Sequence, residues 1–163
     1  MTPGDPNRES LKILTRRRRS LSAESKTCGG CRICEVVCSL THEGSIDLER
    51  SRIHLRPNSL KGSFIPIICR QCADAPCRRA CPESAMELEA GSGIVSIREE
   101  LCTGCLACQN ACPFHAIRFD AFRKKALKCD LCHGAPACVD WCPTHSLGLT
   151  QFGGSGEAKG KER

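Results

Sequence analysis

The sequence has no tyrosine and few aromatic residues of any kind, since phenylalanine and a single tryptophan make up 4% of its 163 residues. Such a chain cannot build a large aromatic core, and small domains short of core depend on disulfides or bound metals for their stability. Long apolar segments are also missing, so neither a membrane-spanning helix nor a secretory signal peptide is predicted. The arginines at 16–19 precede polar residues, which argues against a twin-arginine export signal.

Cysteine is the residue that the sequence has in excess. There are 16 cysteines, a density typical of a disulfide scaffold or a metal protein. Disulfides need an oxidising compartment, and no export signal is recognisable. We therefore expect a cytoplasmic protein, without direct membrane insertion, whose reduced thiols bind metal.

The cysteines fall into four groups of four, with none left over. The third group has the spacing C-x2-C-x2-C-x3-C-P, which holds a cubane iron–sulfur cluster in bacterial ferredoxins. The first group repeats this spacing without the proline, and the second and fourth groups widen it to x2, x4, x3 and x2, x5, x3. This alternation is an internal repeat. In chain order the groups are Cys28, Cys31, Cys34, Cys38; Cys69, Cys72, Cys77, Cys81; Cys102, Cys105, Cys108, Cys112; and Cys129, Cys132, Cys138, Cys142.

The groups are expected to work in pairs. Residues 85–89 and 94–97 flank a Gly-Ser-Gly turn and predict a hairpin that brings the second and third groups together. The first and fourth groups are then left for each other. In two-cluster ferredoxins the fourth cysteine of a group ligates the other cluster. If ligation crosses in this way, the four ligand sets are Cys69, Cys72, Cys77 with Cys112; Cys102, Cys105, Cys108 with Cys81; Cys28, Cys31, Cys34 with Cys142; and Cys129, Cys132, Cys138 with Cys38.

Other classes of protein fit these patterns less well. Zinc sites usually take separated C-x2-C pairs rather than triplets of cysteine. Radical chemistry on S-adenosylmethionine usually needs an iron with only three cysteine ligands, and here every cysteine is assigned. The net charge of +6 suggests nucleic-acid binding, but four bound clusters would lower the net charge of the protein to about −2. The sequence also lacks an aromatic platform on which bases could stack. No nucleophile–base pair stands out, so no catalytic residue is predicted. Electron transfer is the function class that remains.

Residues 28–150 resemble the four-cluster iron–sulfur subunits of the dimethyl-sulfoxide-reductase type in the order and spacing of their cysteine groups. The resemblance implies an α+β fold of two intertwined bacterial-ferredoxin-like modules. Such a fold has short hairpins and helices, is rich in loops and is stabilised by its clusters. It also implies four [4Fe–4S] clusters in a row, which carry electrons.

The expected domain organisation follows from the cysteine pairing. The double ferredoxin-like domain spans 28–152, with an inner module at 69–120 and an outer module at 28–68 plus 121–152. Residues 1–26 are predicted to form a charged arm, solvated or ordered on a partner, in which leucines including Leu21 share a helical face. Residues 153–163 are mostly glycine, serine and charge, and disorder is expected.

Residues 34–44 and 51–53 resemble small polyferredoxins that serve tungsten aldehyde oxidoreductases. This resemblance implies a non-catalytic electron-transfer subunit for a tungsten- or molybdenum-pterin oxidoreductase. The second redox partner would be a flavin subunit that reacts with a nicotinamide, or a ferredoxin. The alternatives are an electron carrier for a carbon monoxide dehydrogenase or a hydrogenase, and a free polyferredoxin.

Local patterns predict the elements between the cysteine groups. The helix that begins near Cys34 is expected to end at Gly44, because no proline follows Cys38. Strands are predicted at 51–56 and 116–119, and residues 147–152 are expected to form a short strand or coil. The basic run 123–125 is predicted to be a loop.

Several residues near the cysteines have more than one interpretation. Trp141 is expected to pack over a cluster rather than to relay electrons. Three of the five histidines are expected at the surface or beside ligands; they are His42, His115 and His133. Five cations close to ligands either raise a cluster's reduction potential or are merely solvated; they are Arg32, Arg70, Arg78, Arg79 and Lys128.

Overall fold

The computed structural model describes residues 18–152, and within them the secondary structure is short. The α-helices are α1 (Ile33–Glu43), α2 (Pro76–Arg79), α3 (Ala107–Asn110) and α4 (Ala137–Asp140). The strands are β1 (Arg18–Ala23), β2 (His54–Asn58), β3 (Ser63–Ile67), β4 (Met86–Leu88), β5 (Val95–Ile97), β6 (Arg118–Asp120), β7 (Lys125–Leu127) and β8 (Leu147–Phe152). Three 3-10 turns lie at Leu48–Arg50, Glu99–Leu101 and Leu131–Gly134.

The strands pair into four two-stranded antiparallel sheets. Three of these are hairpins of consecutive strands, β2–β3, β4–β5 and β6–β7. The fourth pairs β1 with β8, so that Arg18 lies opposite Phe152 and Ala23 opposite Leu147. Short helices with small antiparallel pairs agree with the expected α+β fold of the ferredoxin type.

The length of each helix follows from the residue after the fourth cysteine of its group. Pro82, Pro113 and Pro143 follow the fourth cysteine in three groups, and the helices there have four residues each. Proline cannot continue a helix because it lacks a backbone N–H. Ser39 takes this place in the first group, so α1 continues for 11 residues to its C-cap at Gly44, where φ is 68°. The predicted helix end is confirmed.

Residues 18–23 do not form part of a free arm. They form β1, and Leu21, expected on a helical face, is 1% exposed in the larger core. This short polar segment becomes a strand because it pairs with β8, which lies more than 120 residues away in sequence. Residues 1–17 and the predicted disordered tail at 153–163 lie outside the described residues.

Most of the buried apolar residues form two groups. The larger contains Leu21, Ile53, Leu131 and Leu147 together with cysteines of the first and fourth groups. The smaller lies between residues 75 and 126 and includes cysteines of the second and third groups. The hairpin β6–β7 belongs to the smaller group through Ala126, so the module boundary expected after residue 120 falls inside this hairpin.

A network of ion pairs connects α1 with the turn between β6 and β7. The Glu43 carboxylate is 2% exposed and accepts hydrogen bonds from Arg52, at 2.9 Å, and from Arg123. The basic run 123–125, expected as a loop, thus spans the turn and the first residue of β7. Within residues 18–152 no helix is long and apolar enough to cross a bilayer.

Candidate metal centres

All 16 cysteines lie in the described part of the chain, and all are free thiols. Three of the predicted sets each line one cavity. Site 1 contains Cys81, Cys102, Cys105 and Cys108; site 2 contains Cys69, Cys72, Cys77 and Cys112; and site 4 contains Cys28, Cys31, Cys34 and Cys142. In each cavity three cysteines of one group face the fourth cysteine of another. Crossed ligation requires this arrangement, and the ligation itself stays a prediction.

The remaining set, site 3, consists of Cys38, Cys129, Cys132 and Cys138. Burial raises the pKa of the Cys138 thiol to about 12, and the nearby charge of Cys38 contributes to that rise. Cys38 also raises the pKa of Cys132 through its charge, although burial is the larger cause. Cys38 therefore lies beside cysteines of the fourth group, as the predicted set requires.

The donor set fits a cationic metal centre. Burial raises the pKa of Cys34 to about 12 and that of Cys108 to about 11, so these thiols would not ionise unaided at neutral pH. Thiolate is the form that binds metal, and a bound cation displaces the thiol proton. Sixteen clustered sulfur donors suit iron–sulfur centres, which are held by cysteine thiolates.

Backbone and side-chain donors point at several of the sulfur atoms. The backbone N–H of Arg52 donates to Cys38 Sγ at 3.3 Å, and the backbone N–H of Leu131 donates to Cys129 Sγ at 3.4 Å. Burial raises the pKa of Cys142, but Ser146, Thr144 and backbone N–H groups oppose it, and the pKa falls to about 7. Such hydrogen bonds stabilise negative charge on sulfur and tune a bound metal.

Two glycines allow the chain to pass close to the cysteine loops. Gly104, between the first two cysteines of site 1, has a φ of +73°, and an added Cβ would lie 2.2 Å from the carbonyl oxygen of Lys124. Gly30 holds the equivalent position at site 4, where a Cβ would meet the Phe64 ring at 2.1 Å. Only glycine combines this backbone conformation with such an approach.

Gly104→Ala is therefore expected to lose the metal of site 1, about a quarter of the total iron if four cubanes are bound. The added methyl group must displace backbone at Lys124, as well as accept an unfavourable φ. The matched control is Gly62→Ala, where φ is +57° and nothing lies within 4 Å of the new Cβ. That control should lose only about 1–2 kcal/mol of unfolding free energy and keep its iron. Iron per protein and denaturant unfolding are the measurements, and equal iron loss in both variants would contradict the expectation.

The tryptophan and the histidines for which the sequence allowed more than one interpretation differ in exposure. Trp141 is 66% exposed, which does not fit the packed, shielding role expected for it. His115 and His133 are exposed, as expected. His42 is half-buried beside a predicted ligand, with Nδ1 2.9 Å from Cys38 O and Nε2 3.0 Å from Asp130 Oδ1.

Of the five cations singled out in the sequence, only Lys128 is buried. Arg70 is exposed, with its guanidinium 5.8 Å from the centre of the Phe114 ring. Arg32 pairs with Glu35 at 3.1 Å, and Arg78 and Arg79 are exposed. Sequence reasoning missed Gln71, which is 4% exposed inside the second cysteine group. No sequence signal separates this glutamine from a solvated residue in a cysteine loop.

Sixteen free thiols, gathered by short helices and hairpins in an α+β fold, define an iron–sulfur protein of the ferredoxin type. Comparison with known families agrees. Residues 60–152, more than half of the chain, match the family model described as the 4Fe-4S dicluster domain. The chain belongs to that family.

Three curated relatives are similar over the cysteine-containing region. The polyferredoxin-like subunit of the aliphatic sulfonate oxidoreductase of Pyrococcus furiosus is 45% identical over 103 residues, 63% of this chain and 59% of the relative. The putative electron transport protein YsaA of Escherichia coli is 38% identical, over 69% of this chain and 74% of the relative. The electron transport protein HydN of E. coli is 37% identical, over 61% of this chain and 58% of the relative. The chain thus spans about three fifths of the length of the first and third of these proteins.

A solved structure shares the fold. It is the active site complex BamBC of benzoyl coenzyme A reductase with 1,5-dienoyl-CoA, and it matches with a TM-score of 0.53. The match covers 91% of this chain and 84% of that chain at 23% identity, which supports the fold and nothing finer.

Proposed function

We propose that this chain is a non-catalytic electron-transfer subunit that holds four [4Fe–4S] clusters between a catalytic oxidoreductase subunit and a second redox partner. The observation that carries the proposal is the gathering of the cysteines into four sets of four. A bound cluster would supply reversible one-electron chemistry. The chain's own residues supply the thiolate ligands and hold them in place.

Electrostatic neighbours among the thiols support a linear order of the sites. The Cys77 thiolate raises the pKa of Cys108, although burial is the largest cause of that rise, so site 2 adjoins site 1. Burial is likewise the largest cause of the raised pKa of Cys129, and the charge of Cys69 adds to it, which supports site 3 as the neighbour of site 2. The pKa of Cys138, raised mainly by burial, is raised further by the charge of Cys34, which supports site 4 as the neighbour of site 3. The proposed row is therefore site 1, site 2, site 3, site 4.

Exposure supports the two ends of this row as the points where electrons enter and leave. Cys105 of site 1 and Cys31 of site 4 are exposed, and the other 14 cysteines are buried or half-buried. The two buried cores also separate the first half of the row from the second. The smaller core contains cysteines of sites 1 and 2, and the larger contains cysteines of sites 3 and 4. These cores are the proposed inner and outer ferredoxin-like modules.

The proposed catalytic partner is a tungsten- or molybdenum-pterin oxidoreductase, such as an aldehyde oxidoreductase. A flavin subunit or a ferredoxin is the proposed second partner. The Pyrococcus furiosus relative is a polyferredoxin-like subunit of an oxidoreductase, which supports membership of such a complex. Cysteine-based metal binding also favours a cytoplasmic location, where thiols stay reduced.

A second candidate partner is a hydrogenase. Formate hydrogenlyase subunit 2 of Escherichia coli is 38% identical over 64% of this chain, and HydN is similarly close. The formate hydrogenlyase relative favours the alternative in which the chain is an electron carrier for a hydrogenase.

Isolation of the complex from its native host distinguishes these partners. Anaerobic affinity purification of the tagged chain is expected to recover a larger subunit in near-stoichiometric amount, because a four-site path is useful when two active sites are held apart. Metal analysis of that subunit should find tungsten or molybdenum. Nickel would move the assignment to the hydrogenase or carbon monoxide dehydrogenase alternative. Recovery of the chain alone would reject the subunit proposal and leave a free polyferredoxin.

A further inference from the structure

A buried pair of polar side chains lies between site 2 and site 3. Lys128 immediately precedes Cys129 of site 3, and Gln71 lies between Cys69 and Cys72 of site 2. Both side chains are 4% exposed, and both line the cavity that contains the cysteines of site 2. The pair thus occupies the junction between the two middle sites of the row.

The Lys128 ammonium is held by three acceptors. Its Nζ donates to Gln71 Oε1 at 3.3 Å and to Cys129 O at 3.0 Å, and it also donates to Val95 O. An ammonium group has three N–H donors and no acceptor, so this set of partners satisfies it fully.

Gln71 fixes the position of this ammonium group. Its Nε2 donates to Cys129 O at 2.9 Å, and its Oε1 accepts a hydrogen bond from the backbone N–H of Val95 at 2.9 Å. Its own backbone N–H donates to Cys69 Sγ at 3.5 Å. The charge of Lys128 therefore has a defined location relative to ligands of both sites.

No carboxylate in the described part of the chain balances this charge. Within residues 18–152, Lys128 forms no ion pair with an aspartate or glutamate, whereas the other buried cation, Arg52, pairs with Glu43. A buried charge without a counter-charge is strongly unfavourable. Its charge instead acts on cysteine ligands of both sites. Burial raises the pKa of the Cys77 and Cys129 thiols, and the charge of Lys128 opposes that rise at both.

Burial makes the charge of Lys128 effective. Arg70, Arg78 and Arg79 are also close to ligands of site 2 in sequence, but they are exposed and their fields are weakened by water and salt. An interior charge acts through a medium of lower dielectric constant, so its effect on a neighbouring site is larger.

We propose that Lys128 is the shared counter-charge of sites 2 and 3 and selectively raises the reduction potentials of the clusters held there. This inference rests on the cluster placement proposed above. Reduction adds one electron, supplied by a redox partner, and takes the cluster core from a charge of about 2+ to about 1+. Each bound cluster becomes more negative by one unit, and a fixed cation nearby stabilises that reduced form. Lys128 is a positioning residue in this role and takes no part in ligation.

The test compares Lys128→Met with Lys128→Arg and with the control Lys61→Met. Methionine keeps an unbranched chain without charge, arginine keeps the charge, and Lys61 is exposed in the β2–β3 turn. Each protein is prepared anaerobically, its iron and sulfide are counted, and its clusters are titrated by electron paramagnetic resonance at set potentials. Couples that belong to sites 2 and 3 are recognised by their loss in Cys72→Ser and Cys132→Ser.

In Lys128→Met, the couples of sites 2 and 3 are expected to move to lower potential while those of sites 1 and 4 stay in place. At the wild-type midpoint the ratio of reduced to oxidised cluster should fall about tenfold at each, which equals 59 mV for a one-electron couple. Lys128→Arg should shift less than half as far, and Lys61→Met should leave all couples unchanged. The shift should persist at high salt, because a buried charge is screened little.

Other outcomes overturn the inference. It fails if no couple moves in Lys128→Met, if all four move alike, or if Lys128→Arg shifts as far as Lys128→Met. If Lys128→Met assembles without the clusters of sites 2 and 3, full iron in Lys128→Arg supports a need for the charge, and equal iron loss in both variants rejects it. Wild-type protein with fewer than four clusters would instead defeat the proposed function, so the two failures are distinguishable.

Discussion

Removal of iron is expected to unfold most of this protein. Helices of four residues and isolated pairs of strands are not stable by themselves in water. Cysteines make up seven of the 22 buried apolar residues in the described part of the chain, so much of each core consists of ligands. Anaerobic chelation should therefore abolish the cooperative thermal transition followed by circular dichroism, with only α1, at 11 residues, able to retain partial helicity.

The control for this experiment keeps the thiols reduced throughout, so that unfolding cannot come from disulfides formed after metal loss. Reconstitution with iron and sulfide should restore the transition. An iron-free protein that melts as cooperatively as the loaded one would show that the apolar cores suffice, and would contradict the expectation.

Cys112→Ser is expected to remove the metal of site 2 and leave that of site 1, although Cys112 belongs to the same sequence group as three cysteines of site 1. The reason is its place in the fold, since Cys112 lines the cavity that contains Cys69, Cys72 and Cys77. Iron should fall by about a quarter relative to protein with four cubanes. Alkylation under native conditions, followed by peptide mapping, should modify Cys69, Cys72 and Cys77.

The matched control is Cys81→Ser, in which site 1 rather than site 2 is expected to lose its metal. Cys81 lines the cavity of site 1, so this variant should expose the third-group cysteines, Cys102, Cys105 and Cys108, to alkylation. If Cys112→Ser instead released the cysteines of the third group, each group would ligate its own metal, and crossed ligation would be wrong.

Much of the local structure could be predicted because single residues decide it. Gly44 ends α1, and the Gly-Ser-Gly turn at 91–93 produces the β4–β5 hairpin, as expected. Strand β8 occupies 147–152, a range for which the sequence left strand and coil open. These signals act over a few residues, and the sequence shows them directly.

Features that depend on distant partners could not be predicted. Strand β1 exists because β8 pairs with it, and nothing in its own polar sequence indicates this. The sequence placed Lys128 near a ligand but left its burial open, because burial is set by Gln71 and Val95, each more than 30 residues away. The four cysteine sets were predictable as a hypothesis only because the spacing repeats.

The pairing of β1 with β8 also has a consequence for the order of events during synthesis on the ribosome. All buried residues of the smaller core lie between Ala75 and Ala126 and have been synthesised before the last cysteines, Cys138 and Cys142. The larger core contains both Leu21 and Leu147, so it cannot close until the last strand has left the exit tunnel. A nascent chain would thus contain every buried residue of the smaller core before β8, the partner of its first strand, is available, so the smaller core could form before the larger.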